Sequence, residues 1–449
     1  MIWRLPLEET MADGPPRPTP GGPPRPTRRA VLGTALALGA IPLTGCGVTG
    51  ATTRLRYWNL FGGGDGVLMV KMLDDYRARH PEISLEAVTL AWGAPYYTKL
   101  AMAAAGGRAP DVGILHLSRL AGYAPGHLLD PFDEKLLAEF GVTKDQLPPG
   151  LIERATVGGA LYALPLDTHP FVMYYNTDIA GKAGLLGADG RLAPMNGPDQ
   201  VIDALTKAKK VTGAYGLALD NLDVMPWRLF WALYRQQDGD ITLPTGAGIG
   251  IDDTKALTAL TFMGRLTAEG LATRDVDYPG AIATFAGGKA GFHWNGGWET
   301  ATFTTAKLPY SMTRLPAIFG NARTSGDAHS FVLPHQRARD PLTTRESYRF
   351  IAELLKYSVT WGRAGHVPAY QPVVTDPAYL ALKPQSEYRD VTPDVQLDPP
   401  AWFSGSGSDF ENQAGSAFQS VLAGTLTPQA ALTQFKSAVD KLLSTPSPV

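Results

Sequence analysis

The chain has 449 residues, 44% hydrophobic and 18% charged, enough for two or three domain-sized cores of a soluble globular protein. Its net charge is −2, and residues 46–449 hold 35 basic against 39 acidic side chains, which gives no electrostatic footprint for nucleic acid or anionic lipid. One cysteine, Cys46, excludes internal disulfides and cysteine-built zinc sites; the eight histidines show neither His-Glu-x-x-His nor His-x-His spacing, so neither metal nor cofactor is expected.

Taken in chain order, residues 1–27 are rich in Pro, Gly and Arg with no apolar period and are read as unfolded, with Met1 and Met11 both start candidates. "TRRAVLGTALALGAIPLTGCG" follows. Arg28 and Arg29 form a basic head, and residues 30–41 an apolar run too short to span a membrane, so 1–45 reads as a secretion signal. The arginine pair resembles a twin-arginine signal, but Val31 stands where Phe is usual, which leaves the general secretory route open. "LTGC" resembles the lipobox of bacterial lipoproteins. That implies a diacylglyceryl group on Cys46, a short tether over 46–53, and a protein working on the outer face of the cytoplasmic membrane.

From Arg54 the pattern alternates. "RLRYWNLF" reads as a strand, and the glycines after it lead into a helix over "VLMVKMLDDYRARHP", with Val70, Leu73 and Tyr76–Arg77 on its apolar face and His80-Pro81 as its stop. "ISLEAVTL" is a second strand, "PYYTKLAMAAAGG" a second helix, and "PDVGILHLSRL" a third strand with its loop. The alternation resumes from "LYALPLDTHPFVMYYN" through "AYGLALD" to "AGFHWNGGW", with Gly/Pro-rich connections near 145–160, 187–198 and 240–250. The expected fold class is α/β: two lobes, each a mostly parallel sheet flanked by helices, with a cleft between them.

The turn "FGGGDG" poses a question of chemistry. It lacks the Gly-Lys-[Ser/Thr] end of a P-loop, and Val67 stands where a dinucleotide turn needs its third glycine. What remains is a strand, glycines and a helix start at the carboxyl edge of a sheet, where open α/β folds bind ligands. Asp65 is either a helix cap or a ligand contact. Aromatic residues beside Asn, Asp, Arg and His recur in glycine-containing loops: "WNLF", "WGAPYY", "VMPWRLFW", "HWNGGW", "WGRAGH". Flat indoles suit the C–H face of a sugar ring, and the polar neighbours suit its hydroxyls.

The order of these segments resembles the carbohydrate-binding extracellular solute-binding proteins of bacterial ABC importers, the group that includes maltose-binding protein. The resemblance runs from about Leu55 to Ser437, through "RYWN", "YRARHPEISLEAV", "GRAPDVGILHLSRL", "LYALPLDTHPFVMYYNTDIAGKAGL", "TFAGGKAGFHWNGGW", "WGRAGHVP" and "LAGTLTPQAALTQF", the last matching the family's final helix pair. It implies a non-enzymatic receptor, a monomer, that captures a sugar (an oligosaccharide foremost) and hands it to permease subunits. It also implies lobes of discontinuous chain: 54–167 plus about 329–364, and 168–328 plus about 365–449.

Carried over by position, Ser118 and Arg119 are polar positions that touch sugar in relatives. His169 stands where some relatives carry an acidic ligand, which neighbouring Asp167 can replace. Trp298 matches a stacking aromatic, Trp227 and Trp231 a stretch that often faces the cleft, and Gly365 and His366 a loop that lines it. Asn59 and Asp65 belong to the opening turn, while Tyr175, Asn176 and Asp111 read as structural marks. Two other readings compete. A glycoside hydrolase would need a carboxylate pair across the cleft, with Asp65, Asp167, Asp223 and Glu299 as candidates. A receptor for a glycerophosphodiester or phosphorylated polyol would use Arg119, Arg228, Arg363 and His366, and its binding would weaken with salt.

Overall fold

The structure, a computed structural model, describes residues 53–447. The signal segment, Cys46 and most of the expected tether lie outside the described residues. Among those described, no helix is long and apolar enough to cross a membrane.

Two sheets with separate apolar cores make two α/β lobes. The first sheet runs in the order Ile83–Thr89, Thr53–Asn59, Val112–His116, His329–Pro334, Leu129–Asp130. Its first three strands are parallel, as strand–helix alternation dictates, and Leu55, Tyr57 and Asn59 alternate inward from the opening strand. The expected first helix forms over Gly64–Arg79, but it buries Met69, Met72, Leu73 and Tyr76 while Val70 faces solvent. Asp111 is structural: its carboxylate holds the Arg56 guanidinium at 3.0 Å.

The second sheet is built around one ten-residue strand, Asp167–Asn176, every residue of which is buried. Strict alternation divides it: Phe171, Met173 and Tyr175 enter the larger core, Val172 and Tyr174 a smaller core on the other face. Four strands pair with it antiparallel: Ala290–Gly296, Tyr310–Arg314, Thr324–Asp327 and Val367–Pro368. Strand directions are therefore more mixed than alternation alone implies. Chain returning from later segments lies back against the crossing strand, and His329–Pro334 likewise enters the first sheet antiparallel, His329 opposite His116. Beyond residue 365, Ala369, Tyr370, Val373 and Tyr379 pack on the first core, whereas Phe403, Phe410 and Phe418 pack on the second. The last two helices, Asp409–Leu422 and Pro428–Leu443, close that second core.

Asn176 ends the crossing strand and caps the next helix, its Oδ1 accepting from the N–H groups of Asp178 and Ile179 at 3.1 Å.

Candidate functional site

A cavity of about 390 Å³ lies between residues of the two sheets, within the size range of small-ligand sites. The first lobe contributes Leu60, Phe61, Gly62, Gly63 and Asp65 from the opening turn, with Trp92, His116 and His329. The turn is tight because Gly66 has no side chain: a Cβ there would meet the Phe61 carbonyl oxygen at 2.4 Å. Asp65 makes no capping bond to its helix, and its carboxylate belongs to the cavity wall instead.

The second lobe supplies His169, Asp220, Asp223, Val224, Met225, Arg228, Tyr278, Trp298 and Glu299. Arg228 organises this wall. Its guanidinium lies 5.4 Å from the ring centre of Trp298 and 5.7 Å from that of Trp92, with Glu411 3.7 Å away as its ion partner. The Trp298 indole N–H donates to Tyr278 Oη at 2.6 Å, and that hydroxyl donates to Glu299 Oε1 at 2.5 Å. Burial raises the Glu299 carboxyl above its ordinary range. The chain thus presents two indoles from opposite lobes, a guanidinium between them, and four lining carboxylates: Asp65, Asp220, Asp223 and Glu299.

Of the expected site residues, Asp65, His169 and Trp298 line this cavity. The others lie behind it or elsewhere. Asn59 shapes the turn: its Oδ1 accepts from Phe61 N–H at 3.2 Å and from Thr89 Oγ1 at 3.0 Å. Ser118 is fully buried, donates to Asp327 and accepts from Ser406 N–H at 3.0 Å. Arg119 lies over the Tyr97 ring and donates to the Ser404 carbonyl. Gly365 packs its backbone on Gly297. Asp167 and His366 are buried just behind the wall.

Trp227 and Trp231 are core residues of the second lobe. Their indoles stack at 5.3 Å and donate to Asp398 and to the Gln396 carbonyl. The helix explains this. In Met225–Arg235, positions 227, 230, 231 and 234 share one face, which packs on Phe410, Phe418 and Phe435. Arg228 emerges toward the cavity with Val224 and Met225. Reading the apolar face first finds Arg228, which a search for aromatics passes over. Trp92, standing alone before a glycine, was the informative indole of "WGAPYY".

Behind the wall, Asp167 gathers imidazoles. His329 Nδ1 lies 2.8 Å and His169 Nδ1 3.0 Å from its carboxylate, and the two rings stack at 4.1 Å. The His116 ring centre is 4.5 Å from that of His329. Burial works against charge on all of them, and it holds His116 well below the ordinary histidine value and His169 down at about 3. His329 is the exception: the Asp167 carboxylate outweighs burial and raises it above the ordinary histidine value, and in turn His329 leads the interactions that outweigh burial at Asp167 and keep it well below the usual carboxylate range.

Burial pushes Asp220 up to about 7. Unfolded, it would release its proton near about pH 3.9. The stability this proton confers is complete below about pH 4, declines as pH rises, and is gone above about pH 7. Urea unfolding of the wild type and Asp220→Asn checks it. The wild type should lose stability relative to the variant between about pH 4 and pH 7, with no further change above that; a pH-independent difference would disprove the shift.

Known proteins share this build. A galactooligosaccharide-binding protein of Bacillus subtilis (strain 168) is 23% identical over 354 residues, 71% of this chain and 77% of its own. An arabinooligosaccharide-binding protein of the same organism is 25% identical over 208 residues, 46% of either chain. The GacH receptor of Streptomyces glaucescens GLA.O, solved unliganded and with acarbose, superposes with a TM-score of 0.73 at 18% identity, covering 87% of this chain and 98% of that one. Maltose-bound MalE3 of T. maritima gives 0.72 at 19% identity, covering 87% and 100%. Residues 64–346, well over half of the chain, match the family described as bacterial extracellular solute-binding protein, and the chain belongs to that family.

Proposed function

We propose that this protein is the sugar receptor of an ABC importer, binding a neutral carbohydrate, an oligosaccharide foremost, between its lobes and delivering it to permease subunits. The observation that carries this reading is the wall itself. Trp92 and Trp298 offer ring faces on either side of Arg228, and four acidic side chains line the same cavity as hydrogen-bonding partners for hydroxyls. The naming of both Bacillus subtilis relatives for oligosaccharides supports it.

Charge favours a neutral ligand over a phosphorylated one. Of Arg119, Arg228, Arg363 and His366, Arg228 alone lines the cavity, and it faces four carboxylates. An anion would meet the Asp65 and Asp223 carboxylates there, whereas a neutral polyol would meet hydrogen-bonding groups. Capture needs no covalent step. The ligand must bind the closed arrangement of lobes better than the open one, because equal affinity would shift nothing. Thermal-shift and calorimetric screens of neutral mono- and oligosaccharides beside glycerophosphodiesters test the reading. A neutral sugar should raise the melting temperature with little salt dependence. Preference for a phosphodiester, weakening with salt, would overturn it.

The receptor is further read as a lipoprotein, held at the outer face of the cytoplasmic membrane through Cys46. Cys46→Ser should move it from the membrane fraction to the medium or soluble fraction, since two or more acyl chains supply a lasting anchor. Continued membrane attachment of the variant would remove lipidation from the account.

A further inference from the structure

Asp167, His169, His329 and His366 bring one ligand atom each to within 4.8 Å of one another, and all four are buried. We propose that these four side chains form a binding site for a divalent late first-row transition metal, Zn²⁺ among them, at the place where the chain crosses between lobes. Nothing in their sequence spacing announces it. The convergence is made by topology. Asp167 and His169 open the crossing strand, His329 opens the strand that returns to the first sheet, and His366 precedes Val367–Pro368, which pairs with Thr168 and Asp167.

The donor set suits such a metal. Three imidazoles and a carboxylate fill a tetrahedral shell for a borderline ion, whereas Mg²⁺ and Ca²⁺ prefer oxygen donors. Bonds of about 2.0–2.2 Å place neighbouring donors roughly 3.4 Å apart, so from a widest spacing of 4.8 Å closing the shell takes side-chain shifts of up to about 1.4 Å.

His366 is the residue least accounted for otherwise. It is fully buried, its ring lies flat against Trp361 at 4.4 Å, and neither ring nitrogen makes a hydrogen bond. Leaving such a group unsatisfied is costly. Its Nδ1 is 3.4 Å from Asp167 Oδ2 and its Nε2 3.5 Å from Asp65 Oδ2. A metal on Nδ1 would leave Nε2–H facing Asp65, the carboxylate–histidine–metal arrangement that fixes ring orientation. Asp167 is oriented too, accepting from the Trp361 indole N–H at 2.5 Å and the His329 backbone N–H at 2.9 Å. His169 and His329 also line the cleft cavity, which gives an ion a way in. With all four positions taken by protein, the ion would be structural and would tie the crossing strands together without touching the sugar.

The test is a calorimetric titration of the chelator-stripped full chain with ZnCl₂, beside His366→Ala, His366→Gln, Asp167→Asn and, as control, His335→Ala. One equivalent should bind the wild type and the control and raise their melting temperatures, and each ligand variant should bind at least about tenfold more weakly. Circular dichroism identifies any variant that does not fold. X-ray absorption of the zinc-loaded wild type gives a variant-free readout: an imidazole-rich four-coordinate shell supports the site. Absence of binding, binding undiminished in folded ligand variants, or an oxygen-only shell would overturn it.

Discussion

Trp298→Ala is expected to weaken sugar binding by about 2–3 kcal/mol, the size of loss found when a desolvated aromatic anchor is truncated. The indole holds its place through three contacts. Its N–H donates to Tyr278, the Arg228 guanidinium covers one side, and the His169 ring meets it at 5.7 Å near a right angle. Gly296 lets it fold back this far, since a Cβ there would overlap the six-membered ring at 1.9–2.2 Å. Truncation removes the flat face and also frees Tyr278 and Arg228 from the geometry the indole imposes. Folding should survive, because Trp298 is only partly buried and belongs to neither lobe's apolar core. Trp298→Phe separates the effects: it keeps a ring face and loses the N–H, so it should recover part of the affinity. Calorimetry on the best ligand of the sugar screen is the check, and an unchanged dissociation constant for Trp298→Ala would remove this side chain from the site.

How far the sequence revealed this site depended on whether the signal was local. Strand–helix alternation, the glycine turn before Asp65 and the "WNGGW" turn before Trp298 are local, and they led to the two-lobed fold and to two cavity residues. The Trp227–Trp231 pair misled because an aromatic-rich helix start looks alike whether it faces ligand or core; its 227, 230, 231, 234 spacing held the answer. The histidine cluster left no local trace. His169 and His329 are 160 positions apart, and they meet because the returning residues 329–334 enter the first sheet with the His329 carbonyl accepting from Leu166 N–H, just before the crossing strand, and the His329 N–H donating to Asp167. The absence of metal-binding spacing in sequence therefore says little about a chain that crosses between lobes several times.

Gly365→Ala should be the most damaging small substitution near the site. Gly365 has φ of +92°, and a Cβ would meet the Gly297 carbonyl oxygen at 2.0 Å and Thr300 Oγ1 at 2.4 Å. The approach is mutual, since a Cβ on Gly297 would meet the Gly365 oxygen at 2.5 Å. Two tyrosine hydroxyls fix these carbonyls, Tyr388 donating to Gly365 at 2.5 Å and Tyr174 to Gly297 at 2.8 Å, so neither backbone has room to retreat. Alanine adds about 1–2 kcal/mol for the left-handed conformation and about 1–3 kcal/mol for forced displacement. A total loss of roughly 2–5 kcal/mol follows, seen as a lower urea midpoint. Function should suffer as well, because Gly297 immediately precedes Trp298 and Gly365 immediately precedes His366. Prying the two backbones apart moves a cleft indole and the imidazole behind the wall together. Trp298→Ala should lower affinity and leave stability nearly intact, whereas Gly365→Ala should lower both; an alanine variant with wild-type urea midpoint and affinity would show that the two glycine backbones are not locked together.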